Sequence, residues 1–233
     1  MRTERKGLRT ERVGPAQSSP LSPQSSVPSP VVVKRLGLVE YLPTWQAMRD
    51  FTARRAADTP DELWLLQHPP VYTLGLAGKP EHLLRATEIP LVATDRGGQI
   101  TYHGPGQIVV YLLVDLQRRG IGVKALVSAM EQAVIDLLAE YGVAGTRREK
   151  APGVYVGEAK IAALGLKVKS SGSYHGLALN VDMDLQPYAA INPCGYADLR
   201  VTQARGEGIG EDIETLGDKL LQHLQENLER RSK

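Results

Sequence analysis

The hydrophobic positions of this chain fall into short runs and long stripes, and their spacing separates strands from helices. Residues 31–36 read as a strand, and Pro43 or Thr44 opens a helix toward Ala57 with Trp45, Met48 and Thr52 on one face. Strands at 62–67 and 71–74 flank His68-Pro69-Pro70, where the prolines force a break. Residues 91–94 lead into a glycine-rich stretch, and 107–116 form the unbroken apolar run of a buried strand. The clearest helix is 123–141: Leu126, Val127, Met130, Val134, Leu137, Leu138 and Tyr141 keep a helical spacing, and Gly142 supplies a stop. Residues 153–156, 160–169 and 174–181 read as three strands, separated by Gly157-Glu158 and by 170–173. A last helix, about 211–229, aligns Ile213, Leu216, Leu220, Leu224 and Leu228. Several strands follow one another directly, so the expected class is α+β rather than a regularly wound βαβ fold.

Residues 1–30 show no such period. Positions 15–30 hold five prolines and six serines, a composition that cannot bury enough apolar surface to offset the entropy of ordering. The expected organisation is a disordered tail at 1–30 and a single domain at 31–233. The tail lacks the apolar run of a secretory signal, and two glutamates count against a transit peptide. It also carries the charge: five cations against Glu4 and Glu11 make it +3, and subtracting that from the chain's +2 leaves 31–233 at −1. A near-neutral body has no nucleic-acid footprint. No apolar run approaches the roughly 20 residues that span a bilayer. The single cysteine among 233 residues excludes an intrachain disulfide and clustered-cysteine metal sites, and it suits a reducing, cytoplasmic setting.

Three segments carry residues poorly suited to plain structural roles. Arg96-Gly97-Gly98-Gln99-Ile100-Thr101-Tyr102-His103-Gly104-Pro105-Gly106-Gln107 combines open backbone with polar side chains. It lacks the Gly-Lys-Ser/Thr ending of a P-loop, and no helix follows as a dinucleotide fingerprint requires. It is either a ligand-binding loop or a hairpin between the flanking strands. In the second segment, alternation places Lys160 on the face of Ala162, Leu164, Leu166 and Val168. There the amine either snorkels to solvent or loses charge by desolvation and becomes a base. In the third, Asn192-Pro193-Cys194-Gly195 sets the cysteine in a rigid turn. It is either a small buried hydrophobe or a nucleophile activated by Lys160, His103 or His175. His68, His82 and His223 attract no chemical role.

Together, these segments and Tyr174-His175-Gly176-Leu177-Ala178-Leu179-Asn180-Val181 resemble the lipoate-protein ligase B type octanoyltransferases, also called lipoyl(octanoyl) transferases. The resemblance covers about 31–202. It implies a biotin/lipoate protein ligase-like mixed sheet flanked by helices, and transfer of an octanoyl group from acyl carrier protein. The acceptors it implies are lysines on lipoyl domains of 2-oxoacid dehydrogenase complexes and on the glycine cleavage H protein. By the same resemblance Cys194 forms an acyl thioester, while Lys160 lowers its pKa and moves protons. Arg96, Gly97, Gly98, Gln99, Ile100, Thr101, Tyr102 and His103 line the acyl pocket with Ala163, Leu164, Gly165, Gly176, Leu177 and Ala178. No metal or cofactor is implied, and a monomer is expected.

The chemistry suits that reading. Thiolate exchange with a carrier thioester is nearly thermoneutral, whereas an acceptor lysine, with an ordinary pKa of about 10.4, needs a base. At about 0.8 kcal/mol per buried methylene the acyl chain supplies several kcal/mol of binding. Gly165 and Gly176 are expected to clear a tunnel for it. An acidic carrier protein calls for a basic patch, expected around Arg147, Arg148 and Lys150. The alternative is an ATP-dependent lipoate or biotin ligase on the same fold, which needs no cysteine.

Overall fold

The computed structural model describes residues 31–192 and 199–231, with the side chain of Arg231 excepted. The tail at 1–30 lies outside the described residues, as do Cys194 and its neighbours Pro193 and Gly195. Strand β1 (Val32–Leu38) leads into α1 (Tyr41–Arg54), then β2 (Glu62–Gln67), β3 (Val71–Leu74), β4 (Leu91–Ala93), β5 (Ile100–His103) and β6 (Gln107–Leu113). The short helix α2 (Leu116–Arg119) and the long α3 (Val123–Glu140) precede β7 (Gly145–Thr146), β8 (Gly153–Val156), β9 (Ala159–Lys169) and β10 (Gly172–Asn180). Helix α4 (Ile213–Arg231) is the last element among the described residues.

The main sheet runs β1-β2-β6-β10-β9-β8-β7, and β4-β3-β5 form a second, smaller one. Among the paired strands of the described residues, β1–β2 and β3–β4 are parallel and the others antiparallel. Both faces of the main sheet are covered. Leu63, Ile108, Val110 and Leu112 pack under α3 and α4, while Trp64, Leu66, Val109, Tyr111 and Leu113 meet Met48 of α1 on the other side. This double burial gives β6 its unbroken apolar run, since neither face tolerates water-facing residues. The result is the expected α+β class with a helix-flanked mixed sheet.

Element boundaries moved where a cap decides them. Helix α1 begins at Tyr41, with Pro43 inside a first turn that needs no donor from it. Strand β6 stops at Leu113 because Asp115 caps α2, accepting from the Arg118 N–H at 3.1 Å. Asp212 likewise accepts from the Thr215 N–H at 2.7 Å and opens α4. The glycine-rich stretch is not a hairpin between its flanking runs: β4 and β5 both pair with β3, and β6 belongs to the other sheet. Within it, Ile100–His103 forms a strand that apolar periodicity does not reveal.

Candidate active site

Strand β8 pairs with β9 only as far as Ala163, which leaves the β9 edge open at Leu164–Lys169. The glycine loop docks there, its Gly97 N–H donating to the Leu166 carbonyl at 2.9 Å. A Cβ on Gly165 would stand 2.9 Å from the Gly97 carbonyl oxygen, so the loop reaches the strand only because residue 165 has no side chain. Arg96 is buried beneath the loop. Its Nη2 donates to the Thr73 and Gln99 carbonyls at 2.6 and 2.7 Å, its Nε to Thr73 Oγ1 at 3.1 Å, and its Nη1 to the Gly97 carbonyl at 2.9 Å. The guanidinium thus acts as an internal clamp that fixes the loop's shape.

Two cavities flank this docking point. One, of about 50 Å³ and mostly apolar, lies on the α1 side. Of the fourteen residues expected to line an acyl pocket, it gathers Arg96, Gly98, Gln99, Ile100, Thr101 and His103 with Ala163, Leu164, Gly165, Gly176, Leu177 and Ala178. Tyr41, Val109, Tyr111 and His175 complete it. Tyr102 turns away to pack on Tyr72 and Tyr188, and Gly97 faces the other cavity. That second cavity, about 350 Å³ on the α3 side, is lined by Val123, Val127, Lys160 and Leu166. Gly98, Gln99, Leu164 and Gly165 border both.

Lys160 does not snorkel. It is buried, its amine donates to the Pro152 carbonyl at 3.1 Å, and it lies 5.2 Å from the Tyr155 ring centre. It shares the cavity with Leu164 and Leu166 as the alternation predicts, although a bulge interrupts the ladder with β8 beside it. Gly153, at φ 146°, makes room for it: a Cβ there would come 2.9 Å from Lys160 Cε. The Lys160 backbone also holds the chain that re-enters after residue 198, with N–H to Arg200 carbonyl at 2.8 Å and Thr202 N–H to its own carbonyl at 3.0 Å. On the other side of the undescribed segment, Asn192 N–H donates to the His82 carbonyl at 2.9 Å.

The polar wall behind the smaller cavity is richer than periodicity indicates. Asp95 accepts from Trp45 Nε1 and His175 Nε2, both at 2.9 Å, and from the Tyr174 hydroxyl. Burial alone would raise the Asp95 carboxyl, but the bonds from His175, Tyr174 and Trp45 outweigh it and hold the group well below the usual carboxylate range. His175 lies in the left-handed region at φ 61°, and burial keeps its imidazole neutral despite the Asp95 charge.

His103 donates from Nδ1 to Gln107 Oε1 at 2.7 Å, and its Nε2 faces Thr73 Oγ1 at 3.4 Å. With both nitrogens engaged, it matches a satisfied structural histidine better than a thiol's base. Burial pushes it down to about 3. His68 donates from Nδ1 to the Val39 carbonyl at 2.6 Å and accepts from the Tyr111 hydroxyl at 2.7 Å. Burial lowers it to about 4. Neither His68 nor Asp95 stood out in sequence. Asp95 directly precedes Arg96-Gly97, and that adjacency was the available signal.

Gly165 and Gly176, expected to clear a tunnel, both line the smaller cavity, and their missing side chains also serve close packing. Gly176 and Gly165 face each other across β9 and β10, and a Cβ on Gly176 would sit 2.1 Å from the Val110 carbonyl oxygen. The expected basic patch is partly consumed. Arg147 pairs with Glu131 at 3.0 Å and Arg148 with Glu158 at 2.7 Å, leaving Lys150 on the rim of the larger cavity. Among the described residues no cluster of histidines and carboxylates fits a metal ion, and no helix is long and apolar enough to cross a membrane.

This architecture has known counterparts. Residues 40–225 match the family model for the lipoyl protein ligase A/B catalytic domain. The chain is 64% identical to a protein named octanoyltransferase from Dechloromonas aromatica (strain RCB), over 87% of this chain and 99% of that one. It is 59% identical to an octanoyltransferase from Chromobacterium violaceum, over 85% and 96%. Among solved structures it overlays on a bipartite lipoate protein ligase from Thermoplasma acidophilum with a TM-score of 0.66, at 19% identity and 84% coverage of both chains. Lipoate-protein ligase A bound with ATP overlays at 0.62, with 15% identity over 85% and 84%. At such identities the overlays speak for the fold alone. The family match and the close relatives go further: the chain belongs to the lipoyl protein ligase A/B catalytic-domain family and, within it, to the octanoyltransferases, which makes it an acyltransferase.

Proposed function

We propose that residues 31–233 form one catalytic domain that takes an octanoyl group from acyl carrier protein onto Cys194 as a thioester, then passes it to a lysine of a lipoyl domain. The acceptors are the lipoyl domains of 2-oxoacid dehydrogenase complexes and the glycine cleavage H protein. The observation that carries this reading is the buried Lys160 amine, which opens on a cavity adjoining the apolar pocket under the glycine loop. As an ammonium it stabilises the Cys194 thiolate, and as an amine it takes a proton from the incoming lysine. The adjoining cavities give the acyl chain and the arm that delivers it separate spaces. Both protein substrates use one site in turn, so the kinetics are ping-pong.

Mass spectrometry after incubation with octanoyl acyl carrier protein tests the reading. An octanoyl adduct on Cys194 that disappears when a lipoyl domain is added supports it, and the absence of any adduct overturns it. Free octanoate with ATP is the companion assay. Efficient acylation of a lipoyl domain under those conditions makes the chain a ligase, like its structural neighbours.

A further inference from the structure

Helix α3 buries a carboxylate that the proposed chemistry does not use. Glu131 stands one turn after Val127, which lines the larger cavity, and is itself buried. A carboxylate is costly to bury unless it is paired and hydrogen-bonded. Both of its oxygens are engaged: Oε1 accepts from the Gly153 N–H at 3.1 Å, and Oε2 from Arg147 Nε at 3.0 Å. Arg147 in turn is held on α3 by the Ser128 carbonyl at 3.2 Å and Gln132 Oε1 at 2.7 Å. A neutral amide would satisfy the Gly153 N–H equally well, so hydrogen bonding alone does not call for a charge here.

The Gly153 N–H and the Pro152 carbonyl are the two ends of one peptide group. Its N–H meets Glu131, and its oxygen accepts from Lys160 Nζ at 3.1 Å. The group is planar and stiff, so a carboxylate gripping one end fixes the direction of the other. It also polarises the peptide, because linked hydrogen bonds strengthen one another in a low dielectric, and the oxygen becomes a better acceptor for a cation. Gly153 lies at φ 146°, and a Cβ there would stand 2.9 Å from Lys160 Cε, so peptide and amine meet only because residue 153 has no side chain.

We infer that Glu131 is a positioning residue for the transfer: through the Pro152–Gly153 peptide it aims the Lys160 amine and favours its ammonium form. The inference rests on the reading of Lys160 as the proton carrier. Other charges surround the amine. Lys150 borders the same cavity, and Arg148 lies 4.3 Å from the centre of the Tyr155 ring that Lys160 also faces. Both cations disfavour a third, although Glu158 pairs with Arg148 at 2.7 Å. On the re-entering chain, Glu207 accepts from the Thr202 hydroxyl at 2.5 Å. Glu131 offsets the cations, and Arg147 moderates it by neutralising part of its charge.

Carbon-13 NMR of enzyme labelled at the lysine ε-carbon reads the ionisation of Lys160 directly, with Lys160→Met identifying its resonance. Glu131→Gln keeps an acceptor for Gly153 and removes the charge, so the Lys160 titration should fall by about one pH unit, a tenfold change in its ionisation constant. Arg147→Gln changes the half-exposed member of the pair and should move the titration the opposite way, by less. A purely structural role lowers stability and leaves the titration where it was. An unmoved titration, or one displaced in the same direction by both variants, overturns the inference. Transfer from the octanoyl-enzyme to a lipoyl domain, followed against pH in single turnovers, ties the contact to the reaction: its limb should move with the titration in each variant. A titration that moves while the limb stays overturns Lys160 as the proton carrier, and the part of Glu131 in the reaction with it. A wild-type enzyme that forms no octanoyl adduct overturns the Cys194 reading, while the titration still decides whether Glu131 governs Lys160.

Discussion

Gly165 and Gly176 face each other across two strands, yet their missing side chains matter for different reasons. A methyl group on Gly176 has nowhere to go, because the Val110 carbonyl occupies its place and Leu112 Cδ1 lies 2.7 Å away. Gly176→Ala should therefore destabilise the fold by about 1–3 kcal/mol, as overpacking of a rigid site does. A urea midpoint equal to that of the wild type would remove the argument. Lys160 is the opposite case, a costly buried residue whose amine accepts its desolvation. Lys160→Met keeps the stem and removes the charge, so folding should survive while turnover with a lipoyl domain falls by at least about 10²-fold. Wild-type turnover in that variant would return Lys160 to a purely structural role.

At the scale of elements, the site exists because β9 is longer than the partner that covers it. Its uncovered end accepts the glycine loop, and the loop's internal geometry is set from β3 through Thr73. Thr73→Val keeps the volume and removes the Oγ1 that both Nε and Nη2 of Arg96 address. Leaving a buried guanidinium partly unsatisfied should cost about 1–3 kcal/mol in denaturant. Because the loop lines the cavity, the KM for the acyl donor should also rise. Loss of stability with an unchanged KM would place the clamp outside substrate binding.

Much of this is legible in the sequence. The stripes of α3 and α4 and the runs of β2, β3 and β8 announce themselves through burial, and the four motif segments point to one family. The Ile100–His103 strand was hidden because its four residues mix buried and polar positions within a glycine-rich stretch. The Asp95 hub escaped for another reason. Its donors Trp45, Tyr174 and His175 lie 50 to 80 residues away in sequence, and no local period links positions that only folding brings together. Cys194, the most telling residue of the sequence, lies outside the described residues, so its role rests on motif and chemistry.

Across the whole molecule, the buried histidines in and behind the wall of the smaller cavity govern acid stability. His68, His103 and His175 are all held below their ordinary value of 6.5 in the fold, His68 at about 4 and His103 at about 3, chiefly by burial. The unfolded chain takes up protons at these residues as the pH drops through 6.5, and the folded chain does not until far lower. Protons therefore favour unfolding. The stability conferred by neutral histidines is fully present above about pH 6.5 and is lost steadily toward pH 4. Each such residue steepens the decline by up to about 1.4 kcal/mol per pH unit. Asp95 acts in a separate window. Its carboxyl is depressed, so its contribution persists above its ordinary value near 3.8 and disappears only below it. Two regimes should follow in a melting series: a slope from pH 6.5 to 4 set by the histidines, and a steeper one beneath it as carboxylates join. His68→Gln substitutes a neutral amide for a neutral imidazole and should flatten the upper regime by up to one proton's worth, whatever it costs at pH 7. A melting temperature that does not change between pH 7 and 5 in the wild type would mean that burial does not hold these imidazoles neutral.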